Sequence, residues 1–134
     1  MWKEKLREWY EKSGFEVDGL KFINCTPHPL NLDDGRTIEG NVECAKILTA
    51  TSEEKIIDAI GEIKFVTTEF EPSDEGKELA KEAEEEGYIL IGSIISAQAY
   101  KYPPVVSPIA TPETSRLPPQ ERKVFSRKWN AYQK

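Results

Sequence analysis

YILIGSIISAQAYKYPPVVSPIATPETSR, Tyr88 to Arg116, decides the fold, because within it two apolar runs each end abruptly in small polar residues. Tyr88-Ile89-Leu90-Ile91 has high strand propensity and sits between the helix stop Gly87 and the pair Gly92-Ser93, which suits a strand buried on both faces. Ser93 is a good N-cap for a short helix from Ile94 to about Tyr100, and a helix start offers backbone N–H groups and a positive dipole end to an anion. A second strand, Val105 to Ile109, runs into the hydroxyls, carboxylate and guanidinium of Thr111-Pro112-Glu113-Thr114-Ser115-Arg116. If the two strands are parallel, their ends share one edge, the edge at which open α/β sheets bind ligands. A single Gly-Ser without a nucleotide-binding glycine pattern reads equally as a tight turn followed by a surface loop, and both readings stay open.

Working back from this stretch, Ile63 to Phe70 reads as a strand and Pro72-Ser73 opens a helix reaching Glu86. That helix buries a thin face of Gly76, Leu79, Ala80 and Ala83, while the run Glu82 to Glu86 reads as its solvated side. Strand, helix, strand, helix, strand implies crossovers between parallel neighbours. Upstream, Thr51-Ser52-Glu53-Glu54 matches a capping box, so Ile56, Ile57 and Ile60 read as a helix face stopped by Gly61. Ala45 to Thr49 reads as a strand. Leu30 to Leu32 and Arg36 to Ile38 form a hairpin about Asp33-Asp34-Gly35. Thr26-Pro27-His28-Pro29 is a rigid loop closing a strand from Leu20 to Cys25. Residues 1–14 form an amphipathic helix with Trp2, Leu6, Trp9 and Tyr10 on one stripe and Gly14 as its C-cap. Residues 117–134 make a basic, aromatic tail that contains one helical turn. The expected architecture is a single α/β domain: a mixed, mostly parallel sheet flanked by helices, with an antiparallel hairpin extension.

One domain is also what 134 residues allow. With 38% hydrophobic and 31% charged residues and no apolar run of bilayer length, the chain reads as globular. MWKEKLREWY lacks a signal peptide's apolar segment, so the default setting is intracellular, with no membrane partner. In that setting Cys25 and Cys44, although able to pair, are by default free thiols. Abundant Glu and Lys with few Gln and Asn resemble the composition of proteins from hot environments. The net charge of −6 is uneven: residues 1–99 hold eleven Lys/Arg against twenty-two Asp/Glu, and residues 100–134 hold seven against two.

No complete catalytic or metal signature is present, so the sequence identifies neither a reaction nor a cofactor. Cys25 and His28 are the nearest nucleophile and base, but a rigid extended segment directs residues three apart to opposite sides. A zinc site from Cys25, His28 and Cys44 lacks a fourth ligand. A binding site fares better. Asn24, Thr26 and His28 leave one strand, Gly92 and Ser93 another, and Thr114, Ser115 and Arg116 a third. With Gln98 from the short helix, they are the candidate residues for a small anionic ligand, a nucleotide or phosphorylated sugar. The alternative belongs to the tail: Arg122, Lys123, Arg127 and Lys128, interleaved with aromatics, suit nucleic acid, or a neighbouring copy in a structural homo-oligomer.

Asn24-Cys25-Thr26-Pro27-His28-Pro29, Gly92-Ser93-Ile94-Ile95-Ser96-Ala97-Gln98-Ala99-Tyr100 and Leu117-Pro118-Pro119-Gln120-Glu121-Arg122 resemble, in order and spacing, segments of a group of small proteins encoded by bacteriophages and archaeal viruses. The resemblance covers roughly Leu20 to Tyr132. Cys25 stands where that group usually has an aliphatic residue, and Ser115 where it often has an acidic one. A viral origin and a host-cell setting are implied, and no catalytic residue is carried over.

Overall fold

In chain order the elements are α1 (Lys3–Ser13), β1 (Gly14–Val17), β2 (Leu20–Asn24), β3 (Leu30–Leu32), β4 (Thr37–Ile38), α2 (Val42–Ile47), β5 (Ala50–Ile60), β6 (Ile63–Pro72), α3 (Asp74–Glu86), β7 (Tyr88–Ile91), α4 (Ile94–Tyr100), β8 (Val105–Ala110), one 3-10 turn (Pro119–Glu121) and β9 (Lys123–Asn130). The computed structural model spans Met1–Lys134. Seven strands form one mixed sheet in the order β1-β2-β7-β8-β9-β3-β4, and β5 and β6 form a separate two-stranded hairpin.

The Tyr88–Ile91 run lies in the middle of this sheet, parallel to β2 on one side and to β8 on the other. Leu90 and Ile91 are fully buried, the first facing the helices and the second facing away from them. The sheet is less parallel than the strand and helix alternation implies. Three of its six pairings are parallel and three antiparallel. The excess of parallel pairs fails because β6, the first strand of the expected alternation, pairs only with β5 and never joins the sheet.

One face of the sheet carries α1, α3 and α4. Leu6 and Trp9 of α1, Leu79, Ala80 and Ala83 of α3, and Ala97 and Tyr100 of α4 meet Ile23, Leu90 and Val105 in one cluster. The other face is covered by the sheet itself. It curls until Arg36, beside β4, donates to the carbonyl of Glu16 on β1 and lies over the Phe15 ring, 5.5 Å from its centroid. Inside the curl, Phe15 and Phe22 stack at 5.0 Å and Trp129 closes on Phe22 at 5.3 Å, with Leu30, Leu32, Ile38, Ile91 and Val124 around them. Helices therefore flank one face only.

Several local readings hold: α1 and its stripe, the β3–β4 hairpin, the Ser93 N-cap and the thin face of α3, whose Gly76, Leu79, Ala80 and Ala83 are all buried; Pro72, expected to open α3, instead ends β6, and Ser73 caps the helix. Gly14 is extended and begins β1, so it is no left-handed C-cap. β1 itself pairs with β2 across Asp18-Gly19, whose φ values of 50° and 85° are those of a tight hairpin turn. Val42–Ile47 is a helix that overlaps the strand expected over Ala45 to Thr49, and Asn41 Oδ1 caps it by accepting from the Cys44 N–H.

Thr51 to Ile60 is a strand, not a capped helix. Its partner runs back from Ile63 to Pro72 after the two-residue turn Gly61-Glu62, in which Gly61 takes the positive φ (62°) that this reversal needs at its first position. Ten cross-strand pairs outweigh a local capping box.

Residues 117–134 are no tail. β9 sits between β8 and β3, with Val124 and Ser126 buried. Cys25 and Cys44 are disulfide-bonded, overturning the free-thiol default, and closing a separation of 19 residues restricts the unfolded chain by about 3 kcal/mol. On the solvated side of α3, Glu84, Glu85 and Glu86 are exposed as expected, but Glu82 docks α1, accepting from the N–H groups of Trp2 (2.9 Å) and Lys3 (3.1 Å). The Trp2 bond, foremost, holds the Glu82 carboxyl below the usual glutamate range.

Candidate functional site

Two features stand out on the surface, and they adjoin. The first is a cleft of about 530 Å³ at the C-terminal ends of β2 and β7, walled by α2 and by the start of α4. Thr26 and Pro27 line one side, Ala45 and Leu48 the back, and Ser93 and Ile95 the other side. The cleft exists because the disulfide ties α2 to the end of β2, while Asn41 donates its backbone N–H to Thr26 O. Ser96 Oγ donates to Leu48 O at 2.8 Å and fixes the back wall. Its lining is mainly apolar, and its one cation is the exposed Lys46.

Of the nine candidate ligand residues, the cleft brings together two, Thr26 and Ser93. Asn24 lies beneath it, and its side chain is fully engaged in shaping the loop. Nδ2 donates to the carbonyls of His28 (2.9 Å) and Glu39 (3.0 Å), and Oδ1 accepts from Thr26 N (3.1 Å) and Thr26 Oγ1 (2.6 Å). Gly92 is buried under Ser96 and Leu48, where an added Cβ would stand 3.0 Å and 3.3 Å from their side chains. Ser93 Oγ caps α4, accepting from Ser96 N at 3.1 Å. His28 is exposed on the loop and does not line the cleft. Gln98 lines a different, polar groove with Glu69, Glu71 and Lys101.

Thr114, Ser115 and Arg116 lie elsewhere. Ile91 pairs with Val106, so β8 continues four residues past the end of β7, roughly 13 Å at strand rise, before their loop begins. There Thr114 Oγ1 bonds Thr111 Oγ1 (2.7 Å) and accepts from Lys123 N (2.9 Å), and Ser115 Oγ donates to Pro112 O. The convergence of three strand ends fails because the strands have unequal lengths.

The basic residues of β9, and Arg122 just before it, are also committed in part. Arg127 is ion-paired with Asp18, Arg122 Nε donates to Leu117 O at 2.7 Å, and Lys128 lies over the Phe125 ring. The Cys25–His28 dyad and the zinc site both lose their sulfurs to the disulfide. No group of three or more His, Cys, Asp or Glu side chains is placed to hold a metal ion. No helix is long and apolar enough to cross a membrane.

The second feature, which the sequence reading missed, is the β5–β6 hairpin. Thr51 to Ile60 and Ile63 to Glu69 are exposed throughout. It is an arm standing out from the body, and its outer half carries Ile56, Ile57, Ile60, Ile63, Phe65 and Val66, each 43–69% exposed. Its root is rigid. Tyr100 Oη donates to Thr49 O at 2.6 Å and accepts from Ser73 N at 3.3 Å, Ser73 N also bonds Thr49 O, and Ser73 Oγ donates to Ile47 O. Gly76 makes room for this clamp, since a Cβ there would fall 1.8 Å from Tyr100 Oη. Burial pushes the Tyr100 phenol's pKa up. The sequence signal that finds the arm is Ile60-Gly61-Glu62-Ile63 flanked by β-branched residues, a hairpin pattern that the capping box masks.

Compared with protein-family models, curated proteins and solved structures, the chain matches none of them.

Proposed function

We propose that this chain is an assembly protein whose activity is self-association through the β5–β6 arm, in the viral and host-cell setting that its sequence segments imply. The observation that carries the reading is the outer half of the arm. Six large apolar side chains stand in water on a two-stranded hairpin, Ile60, Ile63 and Phe65 on one face and Ile56 and Val66 on the other, and an isolated hairpin is marginally stable on its own. Monomeric proteins rarely leave such a patch uncovered. The clamped root supports the same reading, because an arm held at Thr49 and Ser73 is presented at a fixed angle and loses little freedom on docking. Within this reading the interface belongs to the arm, and the aromatic residues of β9 serve the core. Sedimentation velocity over a concentration series tests it. A dimer or larger assembly is expected at about 100 µM, a hundredfold above a micromolar dissociation constant, and a monomer throughout overturns it.

A second reading is favoured by the meeting of Thr26 and Ser93 in the cleft. There the ligand is a small molecule, largely apolar, whose anionic group faces Lys46. A calorimetric titration against nucleotides and sugar phosphates decides it, with Lys46→Ala expected to weaken any binding and the absence of heat counting against the ligand. The setting bears on the disulfide as well: a disulfide persists inside cells chiefly in hyperthermophiles, whose Glu- and Lys-rich composition this chain shares.

A further inference from the structure

The cleft and the arm answer one another. Thirteen large apolar side chains are exposed in the molecule; six are on the outer arm, and three more, Val42, Ile94 and Ile95, lie at or beside the cleft. The remaining four, Met1, Leu20, Tyr102 and Leu117, belong to neither feature. Resting on the self-association reading, we propose that the cleft of one copy receives the apolar arm tip of a second copy, in a reciprocal two-fold dimer.

Reach excludes the cleft of the same chain. Ala50, at the root of the arm, lines the cleft, and ten residues of strand carry the turn at Gly61 roughly 30 Å away from it. Two arms lying antiparallel about a two-fold axis remove the mismatch, because the tip of each then arrives at the root of the other, where the cleft opens. Such a contact is isologous and closes, filling both clefts at once without a free end for a third copy.

Size and charge agree with this occupant. By register Ile60, Ile63 and Phe65 share one face of the hairpin, and their side-chain carbon atoms, at ~30 Å³ each, a water's share of liquid volume, fill about 450 Å³. The cleft measures about 530 Å³. The tip carries Asp58 and Glu62 against Lys64, and the single cation of the cleft is Lys46.

Crosslinking by introduced cysteines tests the docking. Ile60→Cys and Val42→Cys alter side chains 65% and 52% exposed, so neither change disturbs the core, and the native cysteines are already paired. The two full-length variants are mixed, mildly oxidised and run on a non-reducing gel. A covalent dimer is expected in the mixture, in clear excess over either variant alone. Ala45→Arg, which fills the cleft, is expected to raise the dimer dissociation constant at least tenfold while leaving the circular dichroism unchanged. An assembly that forms normally, yet neither crosslinks in the mixture nor responds to Ala45→Arg, overturns the docking and leaves arm-driven association standing. A protein that stays monomeric overturns both readings. If that monomer pellets with phosphatidylcholine vesicles, the arm tip belongs to a lipid surface instead.

Discussion

Ile89, Leu90 and Ile91 of β7 and Ile56, Ile57 and Ile60 of β5 are the same chemistry with opposite fates. The first run lies between two parallel neighbours, where Leu90 and Ile91 are fully buried; the second stands 59–69% exposed. Body and arm therefore obey different rules. In the body, apolar residues are explained by the fold. In the arm they are explained only in part, since each stays 43–69% exposed on the isolated chain, and an apolar surface that the fold does not use is the best pointer to what the molecule does.

The comparison breaks most directly if the two runs are truncated in parallel. Leu90→Ala leaves a cavity under three helices and is expected to cost about 2–5 kcal/mol, whereas Ile57→Ala is expected to stay within about 0.5 kcal/mol of wild type. Urea unfolding of dilute protein measures both, and equal costs would mean that the arm is packed onto the body after all. A smaller effect tests the joint between the regions. Gly76→Ala pushes Tyr100 out of its clamp and is expected to cost about 1–3 kcal/mol. Amide protection should then fall at Ser73, whose N–H bonds Tyr100 Oη and Thr49 O, while β7 stays protected; loss of protection in β7 would make the clamp part of the core.

The smallest effect is confined to the body, at the docking of α1. Glu82 accepts from the Trp2 and Lys3 N–H groups, and Glu43 accepts from Trp9 Nε1 at 2.7 Å. The Trp2 backbone bond foremost in the first case, and the Trp9 bond followed by Lys5 in the second, hold both carboxyls below the usual glutamate value of 4.5. A lowered native pKa gives stability that is present above the unfolded value and lost as pH falls through the native one. Protection of the α1 amides is therefore expected to drop below about pH 4.5 with the arm unaffected. Glu82→Gln together with Glu43→Gln should flatten that step, and an unchanged step would move its origin elsewhere.

How far the candidate site was legible follows from individual residues. Thr26 and Ser93 could be placed on a shared edge, since each directly follows a strand whose pattern is plain. Arg116 could not be placed, because the overrun of β8 beyond β7 depends on β9 pairing with its far end, at Ala110 and Val124. Val42, Ala45 and Leu48 escaped because their helix rests on the Asn41 cap and the disulfide. Asn24 was expected at the ligand site as a polar residue leaving a strand end, but it is buried and its four short bonds serve the loop.

The sequence by itself determined what short-range sterics control: the stripe of α1, the thin face of α3, the Ser93 cap, the Leu30–Ile38 hairpin and the buried β7 strand. Only the tertiary structure decided that Thr51–Ile60 is a strand, that the basic segment is an inner strand, that the cysteines are joined, and which polar residues meet. A helix satisfies its backbone within four residues and so announces itself locally. A strand takes its hydrogen bonds, and a cleft its walls, from residues remote in the chain, and no local pattern names those partners.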